Sequence, residues 1–176
     1  MMLKRKDKSV RKLVYHMLAE ALARLDAYPW QLAIISDGAA QVDIGALMAP
    51  LGEDRVRFLE QRDTDELPVP LNAADLYVRP AIGETHGMAL HKPQAAGVPV
   101  VAGIAQIIRH GITGVQSPEG NVAALGDAIV GLLADPARRG AMGTAAQTKF
   151  ANKHSLEAAS DARNYIVTAA QWQRAA

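Results

Sequence analysis

The chain contains no cysteine. Disulfide staples and thiolate metal sites are therefore excluded, and a reducing compartment is expected. Excess charge is almost absent: 19 basic residues against 18 acidic ones leave a formal net charge of +1. That balance offers no global electrostatic case for nucleic acid as a partner. No apolar run reaches the roughly 18 residues that a bilayer-crossing helix needs. The basic opening MMLKRKDKSVRK lacks the apolar core of a secretory signal. Tandem repeats and low-complexity linkers are missing as well. No His, Asp or Glu group has metal-ligand spacing, so no metal site is expected; no resident cofactor is expected either.

What remains is an ordinary soluble composition, 49% hydrophobic and 21% charged over 176 residues. That length suits one domain, taken as residues 1–176. A chain of this size hides about two-thirds of its unfolded surface.

Val10, Leu13, Val14, Met17, Leu18, Ala21, Leu22 and Leu25 recur at helical spacing, predicting an amphipathic helix that ends near Ala27, before Pro29. His16 and the methionines sit at helical spacing and read as structural. QLAIIS (31–36) is a short apolar run closed by Asp37-Gly38, a buried strand and its turn. Val42 to Leu51 reads as helix, RVRFL (55–59) as strand, DELPVPLNAA (65–74) as a broken connector with room for one short helix. DLYVRP (75–80) and PVVAG (99–103) are further strands, and GITGVQSP (111–118) a turn with a short strand. Asn121 suits the N-cap of a helix through Leu133, closed by Asp135-Pro136. Two more helices are expected over about 137–152 and from Ser155, so that C-terminal helices occupy about 137–173. Short apolar strands alternating with helices predict an α/β fold: a Rossmann-like parallel sheet with helices on both faces. Ligands of such sheets bind outside the carboxyl ends of the strands, which puts the site at residues 81–89.

The stretch GETHGMALHKPQAAGVPVV (83–101) follows that strand end. With GIAQIIRHGITGVQSPEGNVAALGDAIVGLLADPARRGAMG (103–143) after it and RVRFLEQRDTDELPVPLNAADLYV before it, it resembles the C-terminal, donor-binding domain of retaining GT-B glycosyltransferases of the family 4 type (glycosyl transferases group 1). The resemblance covers about residues 30–160. It implies the C-terminal half of a GT-B fold lacking its first strand, and a domain that binds a nucleotide-diphosphate sugar for transfer to an acceptor. It implies that Glu84 hydrogen-bonds the transferred sugar. Thr85, His86, Gly87 and Met88 would form the turn that meets the diphosphate, where backbone N–H groups at a helix start suit an anion and Gly87 admits close approach.

The family pattern places a second glutamate eight positions after the first, where it accepts both ribose hydroxyls. Here that position is Lys92, followed by Pro93. An ammonium donates but cannot accept. Losing such a charged hydrogen-bond pair costs about 1.5–3 kcal/mol, or roughly 10- to 100-fold in affinity. A proline inside a helix costs about 3 kcal/mol unless the helix kinks or restarts. Ala81, His86 and Gln106 also depart from the pattern. Lys6 and Lys8, with Lys4 and Arg5, stand where the family's diphosphate-gripping basic pair would be.

Each residue has a plainer reading. Glu84 could cap a helix, Lys92 could be a solvated helix residue, His86 a turn residue, and the N-terminal lysines a solvated helix start. Two functions follow. One is a glycosyltransferase donor domain that works with a separate acceptor-binding domain or chain, the chain alone inactive. The other is a catalytically inactive remnant or binding partner, whose exposed sheet edge would favour pairing with another chain. A dinucleotide binder is disfavoured, because QLAIISDGAAQ lacks the three-glycine spacing. The resemblance further implies cytoplasmic localisation, with the inner membrane surface as an alternative place of work, and is compatible with an oligomer.

Overall fold

A computed structural model describes residues 8–35, 38–59, 68–80, 88–103 and 107–154. The chain opens with α1 (Lys8–Ala23), then β1 (Leu32–Ile35), α2 (Gly38–Met48) and a 3-10 turn (Ala49–Leu51). β2 (Val56–Leu59), α3 (Pro68–Asn72) and β3 (Tyr77–Arg79) follow. A second 3-10 turn (Met88–Leu90) leads into α4 (His91–Ala95), β4 (Val100–Ala102), β5 (Gly114–Gln116), α5 (Val122–Leu133) and α6 (Pro136–His154).

All described strand pairs are parallel. β1 pairs with β2, Leu32 opposite Val56, and β3, β4 and β5 lie in that order, Val101 between Val78 and Val115. Strand β4 is the innermost, its three residues wholly buried. Its side chains alternate between two cores. Val101 joins Ile34, Val115 and the apolar faces of α1, α2 and α5 on one side. Val100 and Ala102 join Leu90 and Ile108 on the other. The doubly covered parallel sheet expected from the sequence is thus present at β4. Around β1 the cover is thinner, since Ala33, Ile35 and Arg57 are exposed.

The opening helix stops where Trp30 donates its indole N–H to the Leu25 carbonyl (3.2 Å) and Arg55 lies over the Trp30 ring, 5.1 Å from its centre. Arg55 also reaches Asp26 at 3.0 Å, so the foot of α1 is tied to the start of β2. Asn121 caps α5 as expected, its Oδ1 accepting from the Ala124 N–H at 2.9 Å. Met17, Met48 and Met142 are core residues, whereas His16 is exposed. Helix α2 starts at Gly38, four residues before the expected start at Val42, so Gly38 opens a helix rather than ending a turn. The helix expected from Ser155 lies outside the described residues.

Proline 93 causes no break. The helix restarts at His91 after the 3-10 turn, so Pro93 sits in its first turn. There the missing N–H would have no intrahelical partner. Its ring is fully buried, and its carbonyl accepts from the Val98 N–H at 2.8 Å. The helix ends at Ala95 with Ala96 as its cap, and Gly97, with a positive φ of 73°, turns the chain toward β4.

Helix α6 crosses that turn in direct backbone contact. A Cβ on Gly143 would fall inside the van der Waals radius of the Gly97 carbonyl oxygen, whereas one on Gly140 would meet nothing within 4 Å. Gly143→Ala should therefore cost about 1–3 kcal/mol through overpacking. Gly140→Ala, in the exposed interior of the same helix, should gain about 0.5–1 kcal/mol. Urea unfolding of the two variants should show midpoints displaced in opposite directions; equal displacement would mean that the backbone contact is not tight.

Candidate functional site at the carboxyl ends of the strands

Parallel strands deliver all their carboxyl ends to one edge. Beyond β3 comes buried Pro80, beyond β4 Gly103, and beyond β5 Ser117 and Pro118. The Ser117 N–H donates to the Ala102 carbonyl at 3.1 Å, which keeps the β5 and β4 ends level. Met17 of α1 and Leu125 of α5 close the floor. Together these six residues line a shallow open depression of about 10 Å³. Small-molecule pockets typically enclose roughly 300–1,000 Å³, so the described residues do not by themselves form such a pocket. The segments that leave the strand ends, 81–87 and 104–106, lie outside the described residues.

The return from β4 is braced on its far side. The Ile107 carbonyl accepts from Lys149 Nζ (2.6 Å) and from Gln94 Nε2 (3.3 Å). Gln94 is buried at 3% exposure. Gln116 Nε2 donates to the Ile108 carbonyl at 2.9 Å, and the Gln116 N–H to His110 Nδ1 at 3.1 Å. Buried Thr113 accepts the Arg109 N–H through Oγ1 at 2.9 Å. Backbone polar groups without water need such partners, and here side chains from α4 and α6 supply them. The chain therefore re-emerges at Ile107 in a fixed place.

Of the site residues expected from the sequence, Glu84, Thr85, His86, Gly87 and Lys6 lie outside the described residues. Met88 opens the 3-10 turn before α4, and Lys8 opens α1. Lys92 is exposed in the first turn of α4. Neighbouring His91 packs edge-on against Phe150, ring centres 5.8 Å apart. Three residues of the depression, Gly103, Ser117 and Pro118, were not singled out from the sequence. Their signal was positional: each follows the last residues of a strand in a parallel sheet. The brace at Ile107 had no sequence signal, because its partners lie 13 and 42 positions away. Among the described residues no group of His, Asp or Glu could hold a metal ion, and no helix is long and apolar enough to cross a membrane.

Residues 5–135 match the family model for glycosyl transferases group 1. The chain belongs to that family. Among curated relatives of this glycosyltransferase group, a D-inositol 3-phosphate glycosyltransferase from Salinispora tropica is 36% identical over 111 residues, 60% of this chain and 23% of the relative. Among solved structures, a sucrose-phosphate synthase from Thermosynechococcus elongatus superposes with a TM-score of 0.78 at 27% identity, over 92% of this chain and 43% of that one. HepE from Anabaena, solved in complex with UDP and glucose, superposes with a TM-score of 0.73 at 22% identity, over 88% of this chain and 44% of that one. The chain thus spans about a quarter of that curated relative and under half of each of these two solved structures, as a C-terminal half of a GT-B fold would.

The brace at Ile107 makes a direct prediction. Gln94→Leu and Lys149→Met should each cost about 1 kcal/mol, because the other partner still serves the carbonyl. The double variant should cost more than the sum, since the carbonyl is then left bare. A double-mutant cycle from denaturant unfolding that closes additively would mean the two donors act independently.

Proposed function

We propose that the chain is the nucleotide-sugar-binding half of a group 1 glycosyltransferase, holding a nucleotide-diphosphate sugar for retaining transfer to an acceptor. The observation that carries this reading is the convergence of Pro80, Gly103 and Ser117 on one depression, with Glu84 to Gly87 joining the first of those strand ends to the turn before α4. The complex of HepE with UDP and glucose, on the same fold, supports it.

In this proposal Glu84 accepts hydrogen bonds from the sugar and orients it. The N–H groups of Thr85, His86 and Gly87, and the start of the turn at Met88, meet the diphosphate. Because α4 has only five residues, those individual N–H groups matter more than a long helix dipole. Lys6 and Lys8 supply counter-charge as the diphosphate departs. The bond between the sugar's anomeric carbon and the diphosphate breaks, a bond from that carbon to the acceptor oxygen forms on the same face, and the acceptor's proton passes to the leaving diphosphate. The acceptor is held by a separate domain or chain, and the process needs no resident cofactor or metal.

Exposed Lys92 favours a second reading, in which the fold persists with a weakened donor site and the chain serves as a partner protein. At Lys92 the ribose meets a donor in place of an acceptor pair.

Calorimetric titration with UDP, GDP, ADP and their sugars tests both. The donor reading expects binding in the range of about 1 µM to 1 mM, lost in Glu84→Ala. Lys92→Glu should strengthen it about tenfold or more, the lower bound for restoring a charged hydrogen-bond pair. No binding to any nucleotide by either form would overturn the donor reading.

A further inference from the structure

Strand β5 is paired with β4 alone among the described strands. In a parallel ladder, alternate residues direct both N–H and C=O to the same neighbour. The Ser117 N–H donates to the Ala102 carbonyl at 3.1 Å, so Val115 and Ser117 turn these groups toward β4, and Gly114 and Gln116 turn theirs outward. No described strand lies on that outer side, yet its groups are met. The Gly114 carbonyl accepts from the Gly111 N–H at 2.9 Å, and the Gln116 N–H donates to His110 Nδ1 at 3.1 Å. His110 and Gly114 pair as an isolated parallel bridge.

The turn 108–113 thus does for β5 what a further strand would do. It is held in shape from within. The Arg109 carbonyl accepts from the Ile112 and Thr113 N–H groups at 3.0 and 2.9 Å, and Thr113 Oγ1 accepts from the Arg109 N–H at 2.9 Å. Thr113 is buried, so the turn is rooted in the core. Gln116 grips it again, its Nε2 donating to the Ile108 carbonyl at 2.9 Å. Along this edge the rung at Gln116 comes from a side chain, the imidazole of His110. The next two residues are Ser117 and Pro118, which line the depression with Pro80 and Gly103. Val115 points into the core shared with α1 and α5, so Ser117, two residues on, faces the same side, toward Met17 and Leu125.

We infer that His110 is a positioning residue: its imidazole anchors the end of β5 and so sets where Ser117 and Pro118 stand at the depression. That role rests on the donor-binding reading, whereas the anchor itself does not. To accept the Gln116 N–H, Nδ1 must carry no proton, so the neutral ring is the tautomer protonated at Nε2. His110 is exposed and is not among the residues that line the depression, so it acts through Gln116. Without the imidazole the Gln116 N–H turns to water, and the strand end loses an outward rung. Asparagine carries its Oδ1 as many bonds from the backbone as histidine carries Nδ1, so it can take over as acceptor. Alanine cannot.

Three forms of the full 176-residue chain test this: the wild type, His110→Ala and His110→Asn. Long-range proton–nitrogen correlation on the wild type should show the neutral ring protonated at Nε2. His110→Ala should speed exchange of the Gln116 amide at least about tenfold. It should also weaken binding of whichever of UDP, GDP and ADP the wild type holds, by about fivefold, close to the worth of one hydrogen bond. His110→Asn should restore both, a rescue that a side chain acting only by bulk would not give. A wild-type ring protonated at Nδ1, or Gln116 exchange unchanged in His110→Ala, would overturn the anchor. Faster exchange with undiminished nucleotide binding would overturn the positioning role and leave the donor reading standing. If the wild type binds no nucleotide, the donor reading and the positioning role fall together, and the Gln116 amide still decides for or against the anchor.

Discussion

Burial of β4 on both faces is the constraint from which the other parts take their positions. A strand with no exposed side must satisfy its whole backbone through its neighbours, and its alternate side chains must find two separate cores. Val101 answers one core, Val100 and Ala102 the other. Once that strand is seated, the ends of β3 and β5 are level with it, and Pro80, Gly103 and Ser117 are brought together with no contact among the loops being required. The site floor is thus a by-product of sheet register. Its chemistry is then left to short connections whose residues are free to vary.

The sequence exposes this arrangement unevenly. The strands were legible because each is a short apolar run bounded by glycine, proline or aspartate, and α1 and α5 because their apolar residues recur at helical spacing. The start of α2 was not, since Gly38, Ala39, Ala40 and Gln41 carry no apolar period and Asp37-Gly38 has turn chemistry. Division of the strands into two ladders could not be read at all, because pairing partners are set by non-local contacts. The family pattern pointed to Glu84, Thr85, His86, Gly87 and Lys6 as site residues, and all five lie outside the described residues. Among the expected donor-binding side chains, only Lys92 can be compared with its surroundings.

Lys92 and Pro93, adjacent in the chain, separate sharply in space. The proline belongs to the core, where its ring fills volume and its missing N–H falls in the first turn of α4, where nothing is lost. The lysine belongs to the solvent. A substitution pair that reads as joint damage to a helix is therefore one packing residue and one surface charge. The helix that carries them is intact, since it restarts at His91.

The glycine crossing has a mechanical consequence. Gly143 lets α6 rest on the carbonyl of Gly97, Gln147 donates to the Ala95 carbonyl at 3.1 Å, and Arg139 holds both the Leu132 carbonyl at 2.7 Å and Asp75 at 3.3 Å. Those contacts grip the helix at its beginning and middle, from three different parts of the chain. Residues of the same face one turn away are Gly140 on one side and Gln147 on the other, and Gln147 already lies against Gly97. Helix α6 is thereby fastened to the turn that leads into β4, to the end of α5 and to the approach to β3.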